Sequence, residues 1–221
     1  WMQMWGAMSP LAKGIAVALL IMGLLSLSIF IERSLMLYRH RKSSKEFIKK
    51  AEPLLQNPKY KAVYDLSAQF PSSYAAKVVG KGIKYYLADS NPEKVTRKLE
   101  RYFESMAHDM RRGMTILSTT GSVAPFIGLL GTVIGIVSSF RGIAKSGSGG
   151  LTAVSAGISE ALVETALGLF VAIPAVIIFY FLAAQLDKEE TALKAIAGEL
   201  VEKMEESAAK ESNSMGKGIA K

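Results

Sequence analysis

Apolar positions along this chain do not alternate evenly with polar ones. They gather into three long runs separated by densely charged stretches. The first run, GIAVALLIMGLLSLSIFI from Gly14 to Ile31, carries no charge. The second, Gly113 to Phe140, reads GMTILSTTGSVAPFIGLLGTVIGIVSSF and is also uncharged. The third opens near Ser155 and ends at Leu186, just before DKEE. A helix rising ~1.5 Å per residue needs about 20 predominantly apolar residues to cross a ~30 Å hydrocarbon core. Each run meets that length, so the pattern predicts three transmembrane helices. No fourth stretch qualifies: AVYDLSAQF and YAAKVVGKGIKYYLA are shorter and more charged, and read as amphipathic helices.

The polar segments predict further helices. DSNPEKVTRKLERYFESMAHDMRRGM opens with a helix-entry signal. Ser90 or Asn91 is placed to cap it, with Pro92 in the first turn and Glu93 three residues after Ser90. No breaker follows until Gly113, so this helix is expected to run straight into the second span. Pro125 is expected to kink that span, and Pro174 the third. The first span is expected to continue as a helix to about Lys50, with Pro53, Pro58 and Pro71 marking turns. LDKEETALKAIAGELVEKMEESAAK extends the third span as a charge-laced amphipathic helix. The last segment, ESNSMGKGIAK, has no periodicity and reads as disordered.

Basic residues set the direction of the spans. Arg33, Arg39, Arg41, Lys42, Lys45, Lys49 and Lys50 follow the first, Arg111 and Arg112 precede the second, and Lys188 and Lys194 follow the third. Only Lys13 precedes the first span, and only Arg141 and Lys145 lie between the second and third. The organisation predicted is a periplasmic segment 1–12, transmembrane helix 13–39, a cytoplasmic helical region 40–112 and transmembrane helix 113–141. A periplasmic loop 142–155, transmembrane helix 156–186 and a cytoplasmic tail 187–221 complete it. The N-terminus then faces out and the C-terminus in. The first run lacks an A-x-A-like cleavage site and is followed by basic residues, so it reads as an anchor rather than a signal peptide.

Composition narrows the chemistry. Of 221 residues, 50% are hydrophobic, which suits a multi-span membrane protein with polar flanks. The net charge of +8 does not point to nucleic acid, because the cations cluster beside apolar spans where they orient the chain. With no cysteine, thiol nucleophiles and thiolate metal sites are excluded. The two histidines, His40 and His108, lie on charged segments without metal-ligand spacing or a catalytic companion, so neither an enzyme nor a metal or cofactor site is expected.

The second and third spans differ from the first. GLLGTVIG places Gly128, Gly131, Thr132 and Gly135 within one short stretch. The third span carries Gly157, Ala161, Thr165, Gly168 and Ala172 at steps of three or four, hence on one face. Small residues so spaced let helices approach closely, and helix packing alone accounts for any single one of them. Depth sharpens the case for the hydroxyls. Thr132 lies about nine residues before Arg141 and Thr165 about nine after Ala156, which puts both roughly 13 Å below the outer surface at ~1.5 Å per residue. Taken singly, each threonine also fits a hydroxyl bonded to its own helix. Glu160 and Glu164 stack at i, i+4 in the outer third of the third span. They read either as an acidic vestibule that draws cations inward or as side chains reaching the interface, Arg141 or Lys145.

APFIGLLGTVIGIVSSF followed by GISEALVETALGLFVAIPAVIIFYF resembles the signature of the ExbB/TolQ/MotA proton-channel family. The likeness is nearest to the ExbB and TolQ branch and to gliding-motility homologues such as AglR. The strong match covers 121–186, and the three-span pattern extends it over most of the chain. The resemblance implies an all-α membrane protein, three transmembrane helices prolonged into a helical cytoplasmic domain, assembled as an inner-membrane pentamer with a central pore. It implies a partner dimer of the ExbD/TolR type, each chain with one span and a membrane Asp. It further implies that proton flow through the assembly drives work in the cell envelope. By position it assigns Thr132 and Thr165 to the proton path and Glu160 as the acid of the SEAL motif. Glu164 departs from the pattern, where ExbB and TolQ carry a small residue. The residues agree in one respect: threonine does not titrate, so a carboxylate from a second chain is expected. A membrane scaffold that recruits partners through its cytoplasmic helices without conducting ions is the alternative.

Overall fold

A computed structural model describes residues 9–56, 59–89, 91–146 and 151–219. Among the described residues six helices follow in chain order: α1 Pro10–Gln56, α2 Tyr60–Ala68, α3 Tyr74–Asp89, α4 Pro92–Met110, α5 Met114–Ser146 and α6 Leu151–Ile219. No strand occurs among the described residues. The chain divides into two compact units, one of residues 1–32 and 113–183, the other of residues 33–112 and 184–221.

In the first unit, α5 packs with the early parts of α1 and α6. Ile15, Leu19, Ala124 and Ala172 are buried together, and Met22, Ile127, Ile134, Leu167 and Val171 pack around them. Large side chains on the outside are apolar too: Leu24, Phe126, Phe170 and Tyr180 all stand exposed. Such a surface is costly in water and costs little in hydrocarbon. Among the described residues three helices are long and apolar enough to cross a membrane, with candidate spans within Pro10–Leu55, Met114–Gly142 and Gly157–Ala209. The protein is an all-α membrane protein.

Local chemistry explains where α1 begins. Ser9 caps it: the Ser9 hydroxyl accepts from the Ala12 N–H at 3.2 Å, and Pro10 occupies the first helical position, where its missing N–H costs nothing. Pro125 lies inside α5 and Pro174 inside α6, and neither ends its helix. Each withholds one N–H from the carbonyl four residues earlier, Gly121 and Phe170 respectively.

In the second unit, amphipathic helices bury one stripe each. Val95, Leu99, Phe103, Met106 and Met110 form the buried face of α4 at steps of three and four. Leu186, Leu193, Leu200 and Met204 do the same on α6. Asn91 caps α4 by accepting from the Lys94 N–H at 3.3 Å, with Pro92 beginning the helix. Polar contacts tie this unit together. Arg41 donates to Glu189 at 3.0 Å and to the Gln185 carbonyl at 3.1 Å. Arg111 pairs with Asp187 at 2.5 Å and Glu190 at 3.2 Å. The His40 ring stacks on Tyr74 at 3.8 Å.

Several sequence expectations are corrected. The helix from Pro92 does not run into the second span: α4 ends at Met110, residues 111–113 form a turn, and α5 starts at Met114. Gly113 lies at this break with φ +83, a backbone state that residues with a Cβ rarely adopt. Pro53 does not mark a turn but lies inside the last turns of α1, which reaches Gln56. Pro71 does sit in a turn, whereas Pro58 and Ser90 lie outside the described residues. The tail expected to be aperiodic is helical to Ile219.

Candidate functional site

Close approach of α5 and α6 creates the site, and glycine makes that approach possible. A Cβ on Gly128 would lie 2.8 Å from the Glu164 carbonyl oxygen and 3.0 Å from the Thr165 Cα. One on Gly168 would lie 2.6 Å from the Ala124 carbonyl oxygen. At Gly135 it would come within 2.8 Å of the Ala161 Cβ. Backbone therefore meets backbone along this seam, as small-residue membrane interfaces require. Ala161 and Ala172 are buried in the same seam, at 0% and 3% exposure.

Thr132 and Thr165 meet across it. Their hydroxyls are hydrogen-bonded to each other. Both also reach one acceptor, the Gly128 carbonyl, at 3.2 Å from Thr132 and 3.0 Å from Thr165. Three contacts share two hydroxyl protons, so they are not all made at once. In one arrangement Thr165 donates to Thr132, which donates to Gly128. In the reverse, Thr132 donates to Thr165, which donates to Gly128. Rotation of two hydroxyls interconverts them without moving a heavy atom. The two arrangements differ in the direction of the Thr132–Thr165 hydrogen bond. Both threonines are half-buried.

The two glutamates do not share one environment. Glu160 is half-buried and its carboxylate accepts from the Ser9 backbone N–H at 2.9 Å. Ser9 thus caps α1 with its hydroxyl while Glu160, on another helix, satisfies the Ser9 N–H. This divides a capping box between two elements. Glu164 is only 2% exposed. Its carboxyl occupies the space that a Cβ on Gly131 would fill. The two acids thus point to different neighbours within the chain: Glu164 lies against Gly131 of α5, and Glu160 reaches the start of α1. Arg141 is exposed, and neither glutamate forms an ion pair among the described residues; the side chain of Lys145 lies outside them.

Sequence reasoning brought the threonines together by depth and the small residues by spacing. It missed Ser9, whose only signal was a Ser-Pro pair four residues ahead of Lys13. It also missed the seating of Glu164 on Gly131, which depends on how α6 is rotated against α5. No group of three or more His, Cys, Asp or Glu able to hold a metal occurs among the described residues.

Comparison with known proteins adds a lineage to this geometry. Residues 72–195 match the MotA/TolQ/ExbB proton channel family. The chain is 37% identical over 183 residues to a biopolymer transport protein ExbB of Neisseria meningitidis, covering 78% of this chain and 82% of that protein. It is 52% identical over 87 residues to the ExbB of Pseudomonas putida, covering 39% of this chain but 26% of that relative. With the ExbB of Salmonella typhimurium it shares 41% identity over 109 residues, covering 49% of this chain and 45% of the relative.

Proposed function

Since this chain belongs to the MotA/TolQ/ExbB proton channel family, we propose that it is a proton-channel subunit of an inner-membrane motor that couples the proton motive force to mechanical work in the cell envelope. The observation that carries the reading is the Thr132–Thr165–Gly128 triangle, a reversible hydrogen-bond relay at the seam of two membrane helices. Gly128, Gly131, Gly135, Ala161, Gly168 and Ala172 serve it by bringing the two backbones close. Pro125 and Pro174 kink the two helices that carry it. Glu160 holds the start of α1 against this seam.

The working unit is a ring of copies, five by analogy with the family, around the single spans of an ExbD/TolR-like partner dimer. The partner brings a membrane Asp that loads and unloads protons. Basic residues flanking the spans orient the N-terminus toward the periplasm and the C-terminus toward the cytoplasm. A charge crossing ~100 mV releases ~2.3 kcal/mol, so a few protons per step supply useful work.

A second reading, a membrane scaffold, is favoured by one feature. A groove of about 760 Å³ runs between α4 and α6 of the second unit. Leu99, Phe103 and Val201 line it together with the acids Glu100, Glu104 and Glu202. Such a groove suits a basic partner segment. One experiment separates the two readings. The chain is purified with its co-isolating single-span protein, reconstituted in vesicles, and proton uptake is followed under an imposed potential. Uptake that requires a partner with a membrane Asp supports the channel; a stable complex that passes no protons supports the scaffold.

A further inference from the structure

An ionisable side chain inside a membrane is costly and is ordinarily tied to a partner that offsets it. Glu164 has no such tie among the described residues. It is 2% exposed, and no hydrogen-bond donor or cation engages its carboxyl among the described residues. The charged residues described in the same unit are Lys13 and Glu32 on α1, Arg141 on α5 and Glu160 on α6, and none is ion-paired to it. The nearest of them in sequence on its own helix, Glu160, carries the same sign. Yet the seat is shaped for a carboxyl. A Cβ at position 131 would lie 2.8 Å from the Glu164 Cδ and 2.9 Å from its Cβ, so the acid keeps this place only while position 131 is glycine. The residues that follow the seat and its occupant are Thr132 and Thr165, which are hydrogen-bonded to each other.

We propose that Glu164 is a proton-binding site in the conduction path, a carboxyl this chain supplies itself beside the threonine relay. The inference rests on the proton-channel reading and adds to it a titrating group besides the partner's Asp. The step is simple. A hydronium ion gives its proton to a carboxylate oxygen, one O–H bond breaking in the ion and one forming on Glu164, with water left behind. Release reverses it. The threonine hydroxyls reorient to pass the proton on and do not ionise. Gly131 is the positioning residue, since it leaves room for the acid.

The test uses the intact chain with its co-isolating partner in membranes. Dicyclohexylcarbodiimide is the probe, an apolar reagent that captures protonated carboxyls in apolar surroundings. Peptide mass spectrometry reads the adduct. Glu164 is expected to be labelled, with labelling that falls as pH rises from mildly acid to mildly alkaline, and with none in E164Q. Failure to label Glu164 at any pH overturns the inference, and this measurement on the wild-type chain does not depend on a variant folding. In vesicles, E164Q is expected to lose at least about tenfold of the proton flux and E164D to recover part of it. Wild-type flux in E164Q alongside lost flux in T165V overturns this inference and leaves the channel reading standing. Absence of flux in the wild-type complex overturns the channel reading, and the labelling titration then decides alone whether Glu164 binds protons.

Discussion

The Thr165 hydroxyl on α6 stands 3.0 Å from the Gly128 carbonyl on α5, so a side chain of one helix bonds directly to the backbone of the other. That contact exists because the Gly128 side of the seam has no Cβ to hold the helices apart. Packing and chemistry are here one arrangement: the residues that let the helices touch also expose the acceptor that the threonines use.

Widening the seam should therefore be costly. Gly128→Ala forces a methyl to within 2.8 Å of a backbone oxygen, where nothing flexible gives way. Overpacking of this kind costs about 1–3 kcal/mol. Gly14→Ala is the control, since no atom lies within 4 Å of its added Cβ. Thermal denaturation in detergent should show a clear drop for Gly128→Ala and none for Gly14→Ala. Equal stability in the two variants would remove the close-packing account.

Ser9 and Glu160 make a second, separate claim. Ser9→Ala removes an N-cap, worth about 1 kcal/mol. Glu160→Ala leaves the part-buried Ser9 N–H without its acceptor, a loss of about 1–3 kcal/mol. The double variant should lose less than the sum, because both act on the same helix end. Full additivity in a thermal-stability cycle would contradict the shared cap. Proton flux measured on Glu160→Gln tells the cap from the relay: retained flux with lowered stability assigns Glu160 to holding α1.

Much of this arrangement was legible in the chain because hydrophobicity and depth are linear properties. Three uncharged runs announce three membrane helices, and equal distances from two outer ends put Thr132 and Thr165 at one height. Asn91 and Pro92 announce the start of α4 through local chemistry alone. The turn at Gly113 was not legible. A glycine between a charged helix and an apolar one is tolerated inside a helix, and only its positive φ reveals the break. Pro53 misled for the converse reason: near the end of a helix it removes a single bond and need not end it. The different fates of Glu160 and Glu164 were hidden because an i, i+4 spacing assigns a shared face but not the rotation of that face toward a neighbour.

The second unit offers a pH-dependent check. Burial, foremost, pushes the Tyr74 phenol above its ordinary value of 10.0. Burial and then Tyr85 do the same for Tyr102. A raised phenol binds its proton more tightly in the folded state than in the unfolded one. The stability it contributes is full below pH ~10 and is lost as pH climbs through the higher folded value. Tyr74→Phe should flatten the alkaline fall in thermal stability relative to the parent chain. An unchanged alkaline slope in both Tyr74→Phe and Tyr102→Phe would contradict this assignment.

The central claim is that the hydroxyls of Thr132 and Thr165 relay protons. Potential-driven proton uptake by vesicles containing the intact complex, compared between T165V and T165S, tests it most directly. Valine keeps the shape and deletes the hydroxyl, whereas serine keeps the hydroxyl and deletes a methyl. The account predicts that T165V assembles normally and loses at least about tenfold in flux, equivalent to ~1.4 kcal/mol, while T165S stays near the parent value. Undiminished flux in a fully assembled T165V complex would contradict it.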